Sequence, residues 1–235
     1  MVVNAVVYHP TLAHLLRYFD STVGRDKLMR IVQYFARFYA AYLVRKKTVD
    51  PAEISKWRAF MSLVSTARKI LRVGKPLQHL KAAGVAFDNK ASDAFIRYTA
   101  VGRQLAYAGY LTCDFAVLAH STKLVTLKKP DLIQKLYYRF WLSGIIFSVA
   151  GGIYKHVGLY QRDVFLSKQA EKDVVAVKKV QAERAKANTQ LALDILDSTI
   201  PISGLNLLSI DDGSVGVAGM VSSFIGASEQ WKSTA

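Results

Sequence analysis

Residues 140–154 read FWLSGIIFSVAGGIY, fifteen positions without an acid or a base. A helix of that composition buries best in lipid, and this decides the fold. Fifteen residues rise about 22 Å, whereas a hydrocarbon core of about 30 Å asks for about 20 residues. The flanks must therefore supply the ends, Tyr138 and Arg139 on one side and residues 155–160 on the other. Tyr137, Tyr138 and Trp141 are spaced like an aromatic belt. The main transmembrane segment is thus placed at about 138–160.

Within the run, Gly144, Ser148 and Gly152 recur every fourth residue and put small side chains on one helix face, which lets another helix come close. The spacing serves packing within one chain and self-association equally well. A second apolar stretch, residues 199–227, is split by Asp211-Asp212-Gly213, and neither half spans unaided. Its later part repeats the small spacing at Ala218, Ser222 and Gly226, which predicts packing against residues 140–154. A broken span, a re-entrant segment and two interfacial pieces all fit, because aspartates are costly at the bilayer midplane.

Composition agrees with a membrane setting. The 235 residues carry a formal charge of +15, yet 51% of them are hydrophobic and the mean hydropathy is +0.17. Lipid headgroups attract Lys and Arg while the bilayer interior takes the apolar surplus. The charge is concentrated early, with 15 Lys/Arg against 4 Asp/Glu in residues 1–82.

Working back from the span, Asp50-Pro51-Ala52-Glu53 is a helix start, with Asp50 as cap, Pro51 in the first turn and Glu53 as the capping-box partner. On a helical wheel Phe60, Leu63, Ala67, Ile70, Leu71 and Gly74 share one side, and Leu77 and Leu80 continue it. Arg58, Ser65, Arg68, Lys69, Arg72 and Lys75 take the other. Pro76 predicts a kink near Gly74. No acid occurs between Lys56 and Lys81, and a purely basic polar face marks an interfacial helix. Core packing and docking in a partner's groove use the same pattern.

The remaining chain is helical as well. A short helix follows Pro10, and an apolar stripe from Leu28 to Tyr42 marks a helix over about 26–45. A turn at 84–89 precedes a helix over 92–119, and Pro130 opens the helix that carries the span. Mixed charges over 166–197 predict a water-facing helix. The predicted fold class is all-α: a helical integral membrane protein with N-terminal amphipathic helices and one or two transmembrane or re-entrant segments. Four regions follow, namely a basic membrane-surface region over 1–90, a helical region over 91–160, a charged helix over 161–198 and a hydrophobic tail over 199–235.

Chemistry is not legible. The five histidines are scattered, with no metal-ligand spacing, and Cys113 is the only cysteine, so neither a disulfide nor a metal or other cofactor is expected. No phosphate-binding glycine motif occurs, and the basic residues form no nucleic-acid-binding pattern. Residues 1–16 lack a basic leader and the final WKSTA is not an S-K-L address, so membrane entry by another route is expected. No catalytic residue, and hence no enzyme, is expected.

Residues 24–35, GRDKLMRIVQYF, resemble the GRDK...R..QY signature of the peroxin-eleven family of peroxisomal membrane proteins, factors of peroxisome proliferation and division. The order of motif, basic amphipathic helix, central span and apolar tail is similar over the whole chain, which looks like a fungal-type member. The resemblance implies a peroxisomal membrane protein whose amphipathic helix, here residues 57–81, inserts into the cytosolic leaflet. It also implies a homo-oligomer that elongates the membrane and engages fission machinery, including a dynamin-type GTPase. Phe60, Leu63, Ile70, Leu71 and Leu77 would then enter the acyl boundary, while Arg58, Arg68, Lys69, Arg72 and Lys75 hold anionic membrane lipids at about 1 kcal/mol each. Both termini would be cytosolic. The family has also been considered pore-forming, and Arg97, Arg103 and Asp114 are the pore-lining candidates for a channel passing small metabolites.

Overall fold

Helices begin where a side chain can accept from the unpaired amides of the first turn. The computed structural model describes residues 7–46, 48, 50–167 and 174–235, and among these all regular structure is helical. The fold is all-α, as the sequence predicts. Helix α1 (Pro10–Asp20) opens at His9, whose Nδ1 accepts from the Thr11 amide at 3.2 Å. Helix α2 (Thr22–Arg45) opens at Ser21, whose hydroxyl accepts from the Gly24 amide. That cap starts α2 about a turn before the Asp26 that sequence alone suggests, so residues 24–27 are helical.

Helix α3 (Pro51–Leu71) is capped by Asp50, which accepts from Ala52 at 2.9 Å. Glu53 does not close a capping box. Its carboxylate accepts instead from Trp57 Nε1 at 3.0 Å and pairs with Lys56 at 3.3 Å. Helix α4 (Lys75–Asp88) follows Gly74, whose φ of +83° lies in the left-handed region that favours glycine. The expected kink is therefore a full stop and restart, with Pro76 in the first turn of the new helix. Helix α4 also runs through the turn expected at Gly84.

Helix α5 (Ala94–Ser121) is capped by Asp93, α6 (Pro130–Ser167) carries the uncharged run, α7 is Val174–Gly204, and α8 (Asp212–Ser233) is capped by Asp211. The charges at Glu171, Lys172 and Asp173, part of the expected helix over 166–197, lie outside the described residues.

The chain forms two units, Met1–Arg72 with Ser209–Ala235, and Val73–Leu208. These differ from the four regions drawn from composition, because helix pairing joins stretches that are far apart in sequence. In the first unit α2 packs against α1, α3 and α8. The second unit stacks α4 on α5, α5 on α6 and α6 on α7.

The α5/α6 pairing explains four glycines. A Cβ on Gly102 or Gly109 of α5 would strike the rings of Phe147 or Phe140 at 2.8 and 2.9 Å. In return, a Cβ on Gly144 or Gly151 of α6 would press on Tyr107 at 3.2 Å or Thr99 Oγ1 at 2.7 Å. As one index rises the other falls, so the helices are antiparallel and each fills the other's gaps. Trp141 is 7% exposed and packs on Tyr110, with ring centroids 5.2 Å apart. It is thus a core residue, not part of an exposed aromatic belt. Helix α7 is not wet all round either, since Val180, Asp194 and Ile200 are buried.

Helix α6 is the one described helix long and apolar enough to cross a membrane. Ile146 and Ile153 remain 59 and 54% exposed, so the chain itself does not cover its outer side. A soluble core helix would bury such residues. Its 38 residues extend about 57 Å, longer than the hydrocarbon core, so the charged flanks reach well into water.

Candidate functional site

Helix α3 carries two apolar edges. Trp57, Met61, Val64 and Leu71 fall at helical spacing on the side turned toward the protein, all partly covered. Trp57 packs edge-on against Tyr39 and Phe35 of α2, at 4.7 and 6.1 Å between centroids. Phe60, Leu63 and Ile70 form the other edge and stand 42, 67 and 58% exposed. Both edges count as apolar on a wheel, so the wheel merges them. Of the residues assigned to lipid, Leu71 is therefore half-buried, whereas Phe60, Leu63 and Ile70 face outward.

Arg68 shares the inward side. It is 6% exposed, and its Nε donates to Asp26 Oδ1 at 3.0 Å while its Nη2 reaches Oδ2 at 3.4 Å. Its Nη1 donates to Gln33 Oε1 at 2.6 Å. Asp26 and Gln33 are two turns apart on α2, so one face of the GRDK-containing helix holds the guanidinium. The arginine expected to meet headgroups is committed inside the protein. Sequence reading missed Asp26 as its partner. The signal was there: Asp26 is one of only four acids in residues 1–82. Arg58 is exposed, and Lys69, Arg72 and Lys75 are half-buried.

Leu77 is 71% exposed but sits on α4, beyond the break at Gly74 and in the second unit. The expected helix over 57–81 is thus two helices, one in each unit.

The small-residue stripes are used within the chain. Gly144 meets Tyr107, the Ser148 hydroxyl donates to Asp194 Oδ2 at 2.6 Å, and a Cβ on Gly152 would meet Leu191 at 3.1 Å. In the first unit Ala218 and Ser222 are buried, and a Cβ on Gly226 would meet Lys27 Nζ of α2 at 2.8 Å. Gly216 lets the Phe38 backbone approach, where a Cβ would stand 2.7 Å from its nitrogen. The helix found against the Ala218 stripe is α2, although composition had suggested residues 140–154.

Two ion pairs fix the start of α8. Arg37 binds Asp212 at 2.6 Å and Arg45 binds Asp211 at 2.5 Å. Asp211 also accepts from the Ser214 hydroxyl at 2.5 Å, and from the Ser214 and Gly213 amides at 3.2 and 2.8 Å. Hydrogen bonds from Ser214, then Gly213, and the Arg45 charge hold its carboxyl below the ordinary range. The two aspartates that split the tail in sequence are therefore a helix cap. Of the pore-lining candidates, Asp114 is 2% exposed, Arg97 lies over Tyr98 at 5.1 Å and Arg103 over Tyr107 at 5.6 Å.

The Peroxisomal biogenesis factor 11 (PEX11) family matches residues 12–231. Peroxisomal membrane protein PMP27 of Saccharomyces cerevisiae is 31% identical, over all of both chains. Peroxisomal membrane protein PMP30A of Candida boidinii is 27% identical over all of this chain and 99% of its own. Peroxisomal membrane protein 11A of Bos taurus is 24% identical, over 90% of this chain and 93% of its own. No solved structure matches the chain. With its helices, a span-length segment in α6 and the GRDK motif on α2 of the first unit, the chain belongs to the peroxisomal biogenesis factor 11 family, acts in peroxisome biogenesis and resides in the peroxisomal membrane.

Proposed function

We propose that the protein shapes the peroxisomal membrane by laying α3 on the cytosolic leaflet, with Phe60, Leu63 and Ile70 in the acyl boundary. One observation carries the reading: three large apolar side chains stand exposed on a helix that has no acid from residue 57 to its end at Leu71. Water penalises such an edge by about 1.5–3 kcal/mol per fully exposed side chain, and a lipid surface removes the penalty. Arg58, Lys69 and Arg72 supply the attraction to anionic headgroups, while Arg68 keeps α3 attached to α2. The wedge adds area to one leaflet and so favours curvature, elongation and fission.

Self-association and engagement of fission machinery, including a dynamin-type GTPase, belong to the same proposal. The Gly144 and Ala218 stripes are occupied within the chain, so self-association would use other surfaces.

The test is electron microscopy of the full-length protein with anionic vesicles. Tubulation is expected from the native chain, and Leu63→Glu with Ile70→Glu should abolish it while leaving the helix content intact. Vesicles that stay round yet become conductive would sink the shaping reading in favour of a channel for small metabolites.

A further inference from the structure

The second unit holds a cavity of about 250 Å³ where α5, α6 and α7 meet. One cation comes from each helix, Arg103, Lys155 and Lys186, and no Asp or Glu is among the residues that line it. Ile96, Ala100 and Phe147 make an apolar wall beside them. Gly151 and Gly152 keep the floor open where a Cβ would press on Thr99 and Leu191.

The charges are not balanced from within. Arg103 Nε is buried without a hydrogen-bond partner. Asp194 acts on Arg103 electrostatically, but its two oxygens accept from Ser148 Oγ at 2.6 Å and Gln190 Nε2 at 2.9 Å. Asp197 is the other carboxylate nearby, so three cations outnumber two carboxylates and the site stays positive. Lys155 is also the first charge after the uncharged run 140–154, which sets the cavity at the level where a spanning helix leaves the hydrocarbon.

We propose that this cavity binds a phosphate group carried on an apolar stem, with Arg103, Lys155 and Lys186 as its counter-charges. A phosphate monoester brings about −1.5 to −2 charges and three acceptor oxygens, which complements a positive site. An arginine fork and two lysine ammonium groups are the side chains suited to such a group. The apolar wall takes the stem, and basic pockets between membrane helices are suited to lipid headgroups. Free phosphate and the headgroup of an anionic lipid share this chemistry. The site uses no residue of the α3 edge, so the inference stands on its own observations.

The experiment uses the full-length protein in neutral detergent micelles, titrated separately with inorganic phosphate, short-chain phosphatidic acid and short-chain phosphatidylcholine, with thermal stability and phosphorus NMR as readouts. Saturable binding of phosphatidic acid, and none of phosphatidylcholine, is expected. Lys155→Gln and Lys186→Gln should each weaken it about tenfold, the scale of one charge-assisted hydrogen bond. Both lysines are exposed on their helices, so these variants should fold. Lys186→Arg should retain binding, and Lys135→Gln, an exposed change elsewhere on α6, should have no effect. Binding of phosphatidic acid alone identifies a lipid headgroup as the source, whereas equal binding of inorganic phosphate identifies the free ion. No saturable binding of either, equal binding of phosphatidylcholine, or an equal loss in Lys135→Gln overturns the proposal.

Discussion

Arg68 and Asp26 show how much one residue's surroundings matter. Their side chains are 7 and 10% exposed, so each charge depends on the other, and Gln33 satisfies a further guanidinium hydrogen. Asp26→Ala strands the buried Arg68 charge and should cost about 3–5 kcal/mol, and Arg68→Ala should also destabilise. The double variant should cost less than the sum of the two, and thermal unfolding of all four proteins checks this. Asp211 makes a separate case. Its carboxyl is held below the ordinary range, so its contribution to stability is complete above the unfolded value of about 3.9 and is lost as pH falls through the lower folded value. Trp231 fluorescence from pH 7 into the acid range should therefore report loosening of α8 below about pH 4, and Asp211→Asn should remove that part of the transition.

Among elements, the α5/α6 pair depends on reciprocal gaps. Gly102 and Gly109 receive phenylalanines of α6, and α6 returns gaps at Gly144 and Gly151. Filling one gap forces the facing ring, 40% exposed at Phe147 and 38% at Phe140, to turn away or the helices to part. Gly102→Val should destabilise the second unit by about 1–3 kcal/mol, read as a lower melting temperature. Pairing it with Phe147→Ala should recover part of the loss. Helix α3 illustrates what an element-level reading can and cannot see. Its start at Asp50 was legible, because a cap acts locally, whereas Pro76 signalled only a kink where the structure ends the helix. Its two apolar edges were not separated, because only α2 distinguishes the edge it covers from the one it leaves exposed.

At the scale of the whole molecule, the outer side of α6 is the part that commits the chain to lipid. Ile146 and Ile153 point away from the protein, and Ile146→Lys should cost about 2.5–3.5 kcal/mol of membrane insertion. Alkaline extraction should then release the variant from membranes while the native chain stays in the pellet. The sequence by itself determined the helical class, the cap at Asp50, a disturbance of the helix near Gly74 and the span in α6, all of which rest on local propensity and on runs of composition. It also carried the GRDK motif that gives the family. Only the tertiary structure decided that Arg68 turns inward, that α8 lies on α2 and that Arg103, Lys155 and Lys186 line one cavity. The residues brought together lie from 31 positions apart, Lys155 and Lys186, to 199, Lys27 and Gly226, and which partner each meets depends on helix packing that no local pattern encodes.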